Sequence, residues 1–173
     1  MQMSRIVVLV GMMGSGKTTV GRAVAARVGV DFVDTDDLVV ARAGKSIREI
    51  FAHDGEAFFR DLESQVLADV LDSSTDVVIA AAGGTILRES NREEIRARAD
   101  VVLWLDADVS TLGERAGNGA HRPLLDGDIE TRLMTLDAER RELYRSIADV
   151  RIDTTSKDIE GVAKEVVAAG FPS

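Results

Sequence analysis

The chain has no cysteine, and its 173 residues include no apolar run of membrane-spanning length. The missing cysteine excludes a disulfide framework, a thiolate metal site and a cysteine nucleophile, and it favours a reducing cytoplasm. The run from Ile6 to Val10 is too short for a signal-peptide core or a membrane span, so we expect neither export nor membrane contact. Basic runs are also missing and the net charge is −9, so we expect no nucleic-acid partner.

What is present is typical of a globular protein, with 45% apolar and 29% charged residues. The length fits one core, and no repeat, low-complexity tract or long linker divides it, so we expect a single domain over residues 1–173. No long exposed apolar stripe is visible, which favours a monomer. Because the protein is acidic, any anionic ligand must be held by a few placed arginines and lysines.

Short apolar runs alternate with helical patterns along the chain. A buried strand is predicted at Arg5 to Val10 and a helix at Lys17 to Val28, ended by Gly29. Further strands are predicted at residues 32–33, 77–81, 101–105 and 150–152. This alternation predicts an α/β fold with a central parallel five-stranded sheet flanked by helices. A last packing helix is indicated at residues 158–169, where Ile159, Val162, Ala163 and Val166 have helical spacing.

A phosphate-binding loop joins the first strand to the first helix. The segment Gly11-Met-Met-Gly-Ser-Gly-Lys17-Thr18 matches G-x-x-x-x-G-K-[ST] in the strand-to-helix context that this motif requires. Its glycines let backbone N–H groups turn toward the phosphates, Lys17 reaches the β/γ oxygens, and the Thr18 hydroxyl can ligate Mg²⁺. We therefore predict a P-loop mononucleotide-binding fold that binds ATP through Gly14, Ser15, Gly16, Lys17, Thr18 and Thr19.

The motif alone does not separate a kinase from an ATPase, a switch GTPase or a regulatory nucleotide sensor. No N-K-x-D segment is found, which argues against guanine recognition. Two regions fall outside the simple alternation. Residues 37–72 contain a short helical piece at 46–51 and a longer helix with the apolar stripe Phe58, Leu62, Val66 and Val70. Residues 116–128 are glycine-rich and have the composition of a lid loop.

Five further motifs follow in an order that resembles the shikimate kinases over nearly the whole chain. They are Asp34-Thr-Asp36-Asp37, Gly44-Lys-Ser-Ile-x-x-Ile-Phe51, Gly55-Glu-x-x-Phe59-Arg60-x-x-Glu63, Gly83-Gly84 and Arg122-Pro-Leu-Leu125. The resemblance implies ATP-dependent phosphorylation of the shikimate 3-hydroxyl, with residues 37–72 as the acceptor-binding segment and residues 116–128 as the lid.

The resemblance also implies roles for individual residues. Asp34 would hold Mg²⁺ together with Thr18, and Asp36 would orient the acceptor hydroxyl and is a candidate base for it. Arg60 would clamp a substrate carboxylate, the Gly83 backbone N–H would face the substrate, Phe51 and Phe59 would line its pocket, and Arg115 would lie near the adenine. Plainer interpretations stay open: strand-end aspartates form caps, Arg60 can pair with Glu56 on the surface, the phenylalanines can be core, and Arg115 can simply end a helix.

Arg140 stands out without reference to any family. Leu133, Leu136, Arg140, Leu143 and Ile147 follow a 3, 4, 3, 4 spacing, so this arginine occupies a position of an apolar stripe. An unpaired buried guanidinium is costly, so we expect Arg140 to meet an anion, and a substrate carboxylate shared with Arg60 is the natural candidate. The alternative is that Arg140 extends from the stripe to solvent.

Arg122 precedes Pro123 in the glycine-rich loop, where it could act as an arginine finger on the transferred phosphoryl group. With Lys17 and Asp36 it completes the predicted catalytic set.

Some features depart from the family pattern. Ala82 stands where a third glycine is usual, Glu142 where proline is usual, and residues 153–158 lack an arginine often found there. Two alternatives stay open. One is a gluconate kinase-like enzyme with the same phosphate loop, against which Asp36, Arg60 and Arg140 argue; the other is a regulatory module that binds nucleotide and has lost catalysis through the altered glycine run.

Overall fold

The computed structural model of the chain describes residues 4–117 and 128–172. Its strands are β1 (Ile6–Val10), β2 (Asp31–Asp34), β3 (Val77–Ala80), β4 (Val101–Asp106) and β5 (Val150–Asp153). Its α-helices are α1 (Lys17–Val28), α2 (Thr35–Ala43), α3 (Ile47–His53), α4 (Gly55–Leu71), α5 (Glu89–Arg98), α6 (Val109–Ala116), α7 (Ile129–Ile147) and α8 (Ile159–Gly170). A 3₁₀ turn at Thr85–Leu87 follows β3.

The five strands form one sheet in the order β2-β3-β1-β4-β5, and every pairing is parallel. This confirms the five-stranded parallel sheet expected from the sequence. Parallel strands end at a common edge, and ligands in open α/β sheets bind outside that edge. The strand order therefore brings the carboxyl ends of β2, β3 and β1 side by side. The segments that follow these three strands lie next to one another at that edge.

Side chains of the central strand β1 alternate between two apolar layers. Ile6, Val8 and Val10 pack with residues of α4, α5 and α7, while Val7 and Leu9 pack with residues of α1 and α8. Helices thus cover both faces of the sheet, as the near-continuous apolar composition of parallel strands requires. A third, smaller cluster joins α2, α3 and α4 around Val39, Ile50 and Val66, so the segment at 37–72 has a core of its own.

Two details of the helices differ from the sequence expectation. The Phe58 side chain is 48% exposed, and the buried stripe of α4 starts instead at Phe59 and continues through Leu62 and Val66. Adjacent phenylalanines leave the phase of an apolar stripe ambiguous by one residue, and packing against α2 and α3 selects Phe59. In α8, Ile159 is exposed, and Val162, Ala163 and Val166 form the buried face.

Within residues 4–117 and 128–172, no helix is both long enough and apolar enough to cross a bilayer. Most of the segment expected to form a lid, including Arg122, lies outside the described residues.

Candidate active site

The loop between β1 and α1 is shaped by glycines with positive φ. Gly11, Gly14 and Gly16 have φ of 146°, 83° and 98°, a region that residues with a Cβ rarely adopt. A Cβ on Gly11 would also lie 2.3 Å from the Leu105 carbonyl oxygen. The Lys17 Nζ donates to the carbonyl oxygens of Gly11 and Met12 at 2.8 and 3.0 Å, so its charge lies across the mouth of the loop. The loop therefore has the shape and charge of a phosphate cradle.

The Thr18 hydroxyl and the Asp34 carboxylate lie together beside this loop, at the end of β2. The Thr18 hydroxyl donates to Asp34 Oδ2 at 2.5 Å, and Asp34 Oδ1 accepts from the backbone N–H of Asp36 at 2.9 Å, which caps α2. The capping interpretation of Asp34 is therefore correct, and the same carboxylate also contacts the phosphate loop. Asp36, in the first turn of α2, lines the cleft beyond it.

Arg60 lies at the other end of the cleft and is 8% exposed. Its Nη1 donates to Glu63 Oε2 at 3.0 Å and its Nη2 to Glu56 Oε1 at 3.3 Å. The pairing with Glu56 that the sequence left open does occur, but it belongs to a buried guanidinium stacked 5.2 Å from the Phe59 ring centroid. Phe59 in turn packs on Phe51 with ring centroids 4.9 Å apart. Both phenylalanines line the cleft, and Phe59 is also part of the core.

Arg140, on α7, is 2% exposed, and its Nε and Nη1 have no hydrogen-bond partner among the described residues. It therefore does not extend to solvent. Glu63 is the buried carboxylate near both arginines; burial raises its pKa, and the charges of Arg60 and Arg140 act in the opposite direction. In the part of the chain that the structure describes, two buried guanidinium groups thus face one buried carboxylate, with Glu56 at the rim. This imbalance, together with two unused donors, makes the pocket selective for an anion.

The turn after β3 fits between these arginines because two of its residues, Gly83 and Gly84, have no side chains. A Cβ on Gly84 would lie 2.2 Å from Arg60 Nη1, and a Cβ on Gly83 would lie 3.6 Å from Arg140 Nη1. The preceding residue, Ala82, accommodates its methyl group while its backbone N–H donates to the Thr35 hydroxyl at 2.9 Å. The alanine that departs from the usual three glycines is thus held by a hydrogen bond to the start of α2.

A third part of the cleft is bounded by α6 and the loop after β5. Arg115 Nη1 and Nη2 donate to the Thr154 hydroxyl and carbonyl oxygens at 3.0 and 2.7 Å. These bonds hold an otherwise exposed arginine along the cleft wall, which Lys157 and Ile159 also line. The arrangement suits a flat, apolar ring system stacked on a guanidinium plane.

The phosphate loop, the two buried arginines and the wall that carries Arg115 all belong to one cleft of about 670 Å³. Every predicted site residue within the described part of the chain lines it: Gly14, Ser15, Gly16, Lys17, Thr18, Thr19, Asp34, Asp36, Phe51, Phe59, Arg60, Gly83, Arg115 and Arg140. Arg122 lies outside the described residues, so its predicted role is untested.

Sequence reasoning gave no role to Glu63, Gly84 or Tyr144. Glu63 lies three residues after Arg60 on the buried stripe of α4, and that spacing was the available signal. Tyr144 lies four residues after Arg140 on α7, on the same face. Gly84 was noted as part of a motif, but its contact with Arg60 depends on how α4 packs against the turn after β3.

The fold and site together define a P-loop phosphotransferase whose cleft also contains two buried arginines suited to an anion. A family model described as shikimate kinase matches residues 13–169. A shikimate kinase of Symbiobacterium thermophilum is 49% identical over 164 residues, covering 93% of each chain. The chain belongs to the shikimate kinase family, and it is an ATP-dependent small-molecule kinase.

Solved structures agree with this assignment. The shikimate kinase of Acinetobacter baumannii in complex with shikimate superposes with a TM-score of 0.91 at 34% identity, covering 95% of this chain and 92% of that one. A gluconokinase of Sinorhizobium meliloti 1021 has a TM-score of 0.59 at 21% identity, covering 98% of this chain and 93% of that one, a likeness of fold alone.

Proposed function

We propose that this protein transfers the γ-phosphoryl group of ATP to the 3-hydroxyl of shikimate, giving shikimate 3-phosphate and ADP. The observation that carries the acceptor assignment is the buried Arg140 guanidinium, whose Nε and Nη1 are unpartnered among the described residues. A planar carboxylate held by Arg60 and Arg140 supplies the missing acceptors and balances the excess charge. The aromatic floor formed by Phe51 and Phe59 suits the carbon ring that bears such a carboxylate.

At the phosphate end, backbone N–H groups of the loop and Lys17 bind the β- and γ-phosphates. The Thr18 hydroxyl and the Asp34 carboxylate fit Mg²⁺, which prefers oxygen ligands and takes only one or two from the protein when phosphates supply others. When bound, the ion would neutralise charge on the transferred group.

Asp36 lines the cleft and would align the acceptor hydroxyl with the γ-phosphoryl group. Arg115 would lie against the adenine. Catalysis then consists of positioning and charge neutralisation, without a covalent enzyme intermediate. We also propose that the protein is a cytoplasmic monomer and that residues 116–128, with Arg122, would close over ATP.

The proposal is tested by coupled ADP release from MgATP with shikimate, gluconate or no acceptor. We expect strong stimulation by shikimate alone, and a ³¹P spectrum of the product with the phosphate on the 3-hydroxyl. Stimulation by gluconate instead would favour the sugar-acid alternative. ATP binding without stimulation by either acceptor would contradict the proposal and favour a regulatory module.

A further inference from the structure

We infer that Tyr144 is a positioning residue that holds the turn between the two clamp arginines, and that its hydroxyl thereby sets affinity for the acceptor. The inference rests on the proposed function for the identity of that acceptor. Tyr144 is fully buried on α7, one helical turn beyond Arg140. Its hydroxyl donates to the Gly83 carbonyl oxygen at 2.5 Å.

This hydrogen bond fixes a particular peptide. The Gly83–Gly84 peptide is planar, so fixing the Gly83 carbonyl also fixes the Gly84 N–H, which points the opposite way. A pair of glycines has wide conformational freedom unless something outside the pair restrains it. The tyrosine hydroxyl supplies that restraint from a helix 61 residues further along the chain.

The same turn supports both guanidinium groups. Arg60 Nη1 occupies the space where a Gly84 Cβ would lie, and Arg140 Nη1 lies 3.6 Å from the corresponding point on Gly83. A rotation of this peptide would therefore change the surface on which Arg60 and Arg140 rest. Because Arg140 and Tyr144 share one face of α7, one rigid helix holds both the clamp and its support.

The environment keeps the tyrosine in place as a donor. Its ring stacks on Trp104, with centroids 6.0 Å apart and an interplanar angle of 26°. Burial raises the pKa of Tyr144, so the hydroxyl keeps its proton across the neutral range. Neither ring nor hydroxyl lines the cleft, so Tyr144 acts on the acceptor only through Gly83 and Arg140.

The test is Tyr144→Phe, which retains the ring packing and removes the hydroxyl that donates to Gly83 and contacts Arg140. We expect the KM for shikimate to rise about tenfold, while kcat and the KM for ATP stay within about twofold of wild type. Loss of a buried hydrogen bond of merely structural importance would lower the thermal unfolding midpoint without this selective change. An unchanged KM for shikimate, or equal rises for both substrates, would overturn the inference.

A matched control removes a hydrogen bond at the opposite edge of the sheet. Asp100 Oδ2 accepts from the Ile6 backbone N–H at 2.6 Å, and neither residue lines the cleft. Asp100→Ala should lower stability and leave the KM for shikimate unchanged. If it raised that KM as Tyr144→Phe does, the effect would come from lost stability and the inference would fail.

A second measurement does not depend on the Tyr144→Phe variant. Tyr144 is the only tyrosine of the chain, so 3-fluorotyrosine incorporation labels this site alone. We expect its ¹⁹F resonance to move when shikimate saturates the protein, and an unmoved resonance would contradict the inference even if Tyr144→Phe failed to fold. Wild-type protein without shikimate-dependent ADP release would instead overturn the proposed function itself.

Discussion

Two adjacent arginines on α7 should respond to the same substitution with opposite changes in stability. Arg140 is buried and two of its nitrogens have no partner among residues 4–117 and 128–172, whereas Arg141 donates to Asp106 at 2.9 and 3.1 Å and to Asp137 at 3.0 Å. Each unsatisfied buried donor costs about 1–3 kcal/mol, and this cost is partly offset by the attraction of Arg140 to Glu63. Replacing Arg140 by an apolar side chain of similar length removes both the cost of the unsatisfied donors and the attraction to Glu63.

We therefore expect Arg140→Met to raise the free energy of unfolding by about 1 kcal/mol, or the unfolding midpoint by about 2–4 °C. The same variant should weaken shikimate binding about 10- to 150-fold, since it removes charge-assisted hydrogen bonds of about 1.5–3 kcal/mol. Arg141→Met should lower the free energy of unfolding by about 2 kcal/mol and leave the shikimate Kd near the wild-type value.

Thermal unfolding without ligand and isothermal titration with shikimate measure these quantities. A loss of more than about 2 kcal/mol in Arg140→Met would mean that the guanidinium is well satisfied in the free protein, which would refute the reasoning. Equal losses of affinity in the two variants would mean that α7 acts as a whole rather than through Arg140.

Three other predictions follow from single contacts. Lys17→Met should lower kcat at least about 100-fold in coupled ADP release while the fold persists; near-normal turnover would remove Lys17 from the mechanism. Gly84→Ala, at a φ of −93° that alanine accepts, should displace Arg60 and raise the KM for shikimate at least about tenfold. Gly113→Ala, whose Cβ would lie an ordinary 3.8 Å from Leu133, should leave that KM unchanged. Burial raises the Glu63 pKa above its ordinary 4.5, so the stability that Glu63 contributes is present below that value and lost as pH rises through the folded pKa. The unfolding free energy of wild type minus that of Glu63→Gln should therefore fall as pH rises above about 4.5; a rising difference would contradict the raised pKa.

The sequence predicted what depends on local pattern. The phosphate loop is a run of neighbouring residues with glycines at fixed offsets, and helical spacing was enough to mark Arg140 as anomalous. The phase of the α4 stripe was ambiguous because Phe58 and Phe59 are both apolar. The bond from Tyr144 to Gly83 and the close approach of Arg60 to Gly84 could not be predicted, because they depend on how helices pack against a turn distant in sequence.

The central claim is that Arg140 recognises the carboxylate of the acceptor, and a cycle between protein and ligand tests it most directly. The kcat/KM would be measured for shikimate and for its uncharged methyl ester, with wild-type protein and with Arg140→Met. We predict that either change alone lowers kcat/KM and that the second change adds little to the first. Two fully additive losses would show that Arg140 and the carboxylate act independently, and would contradict the account.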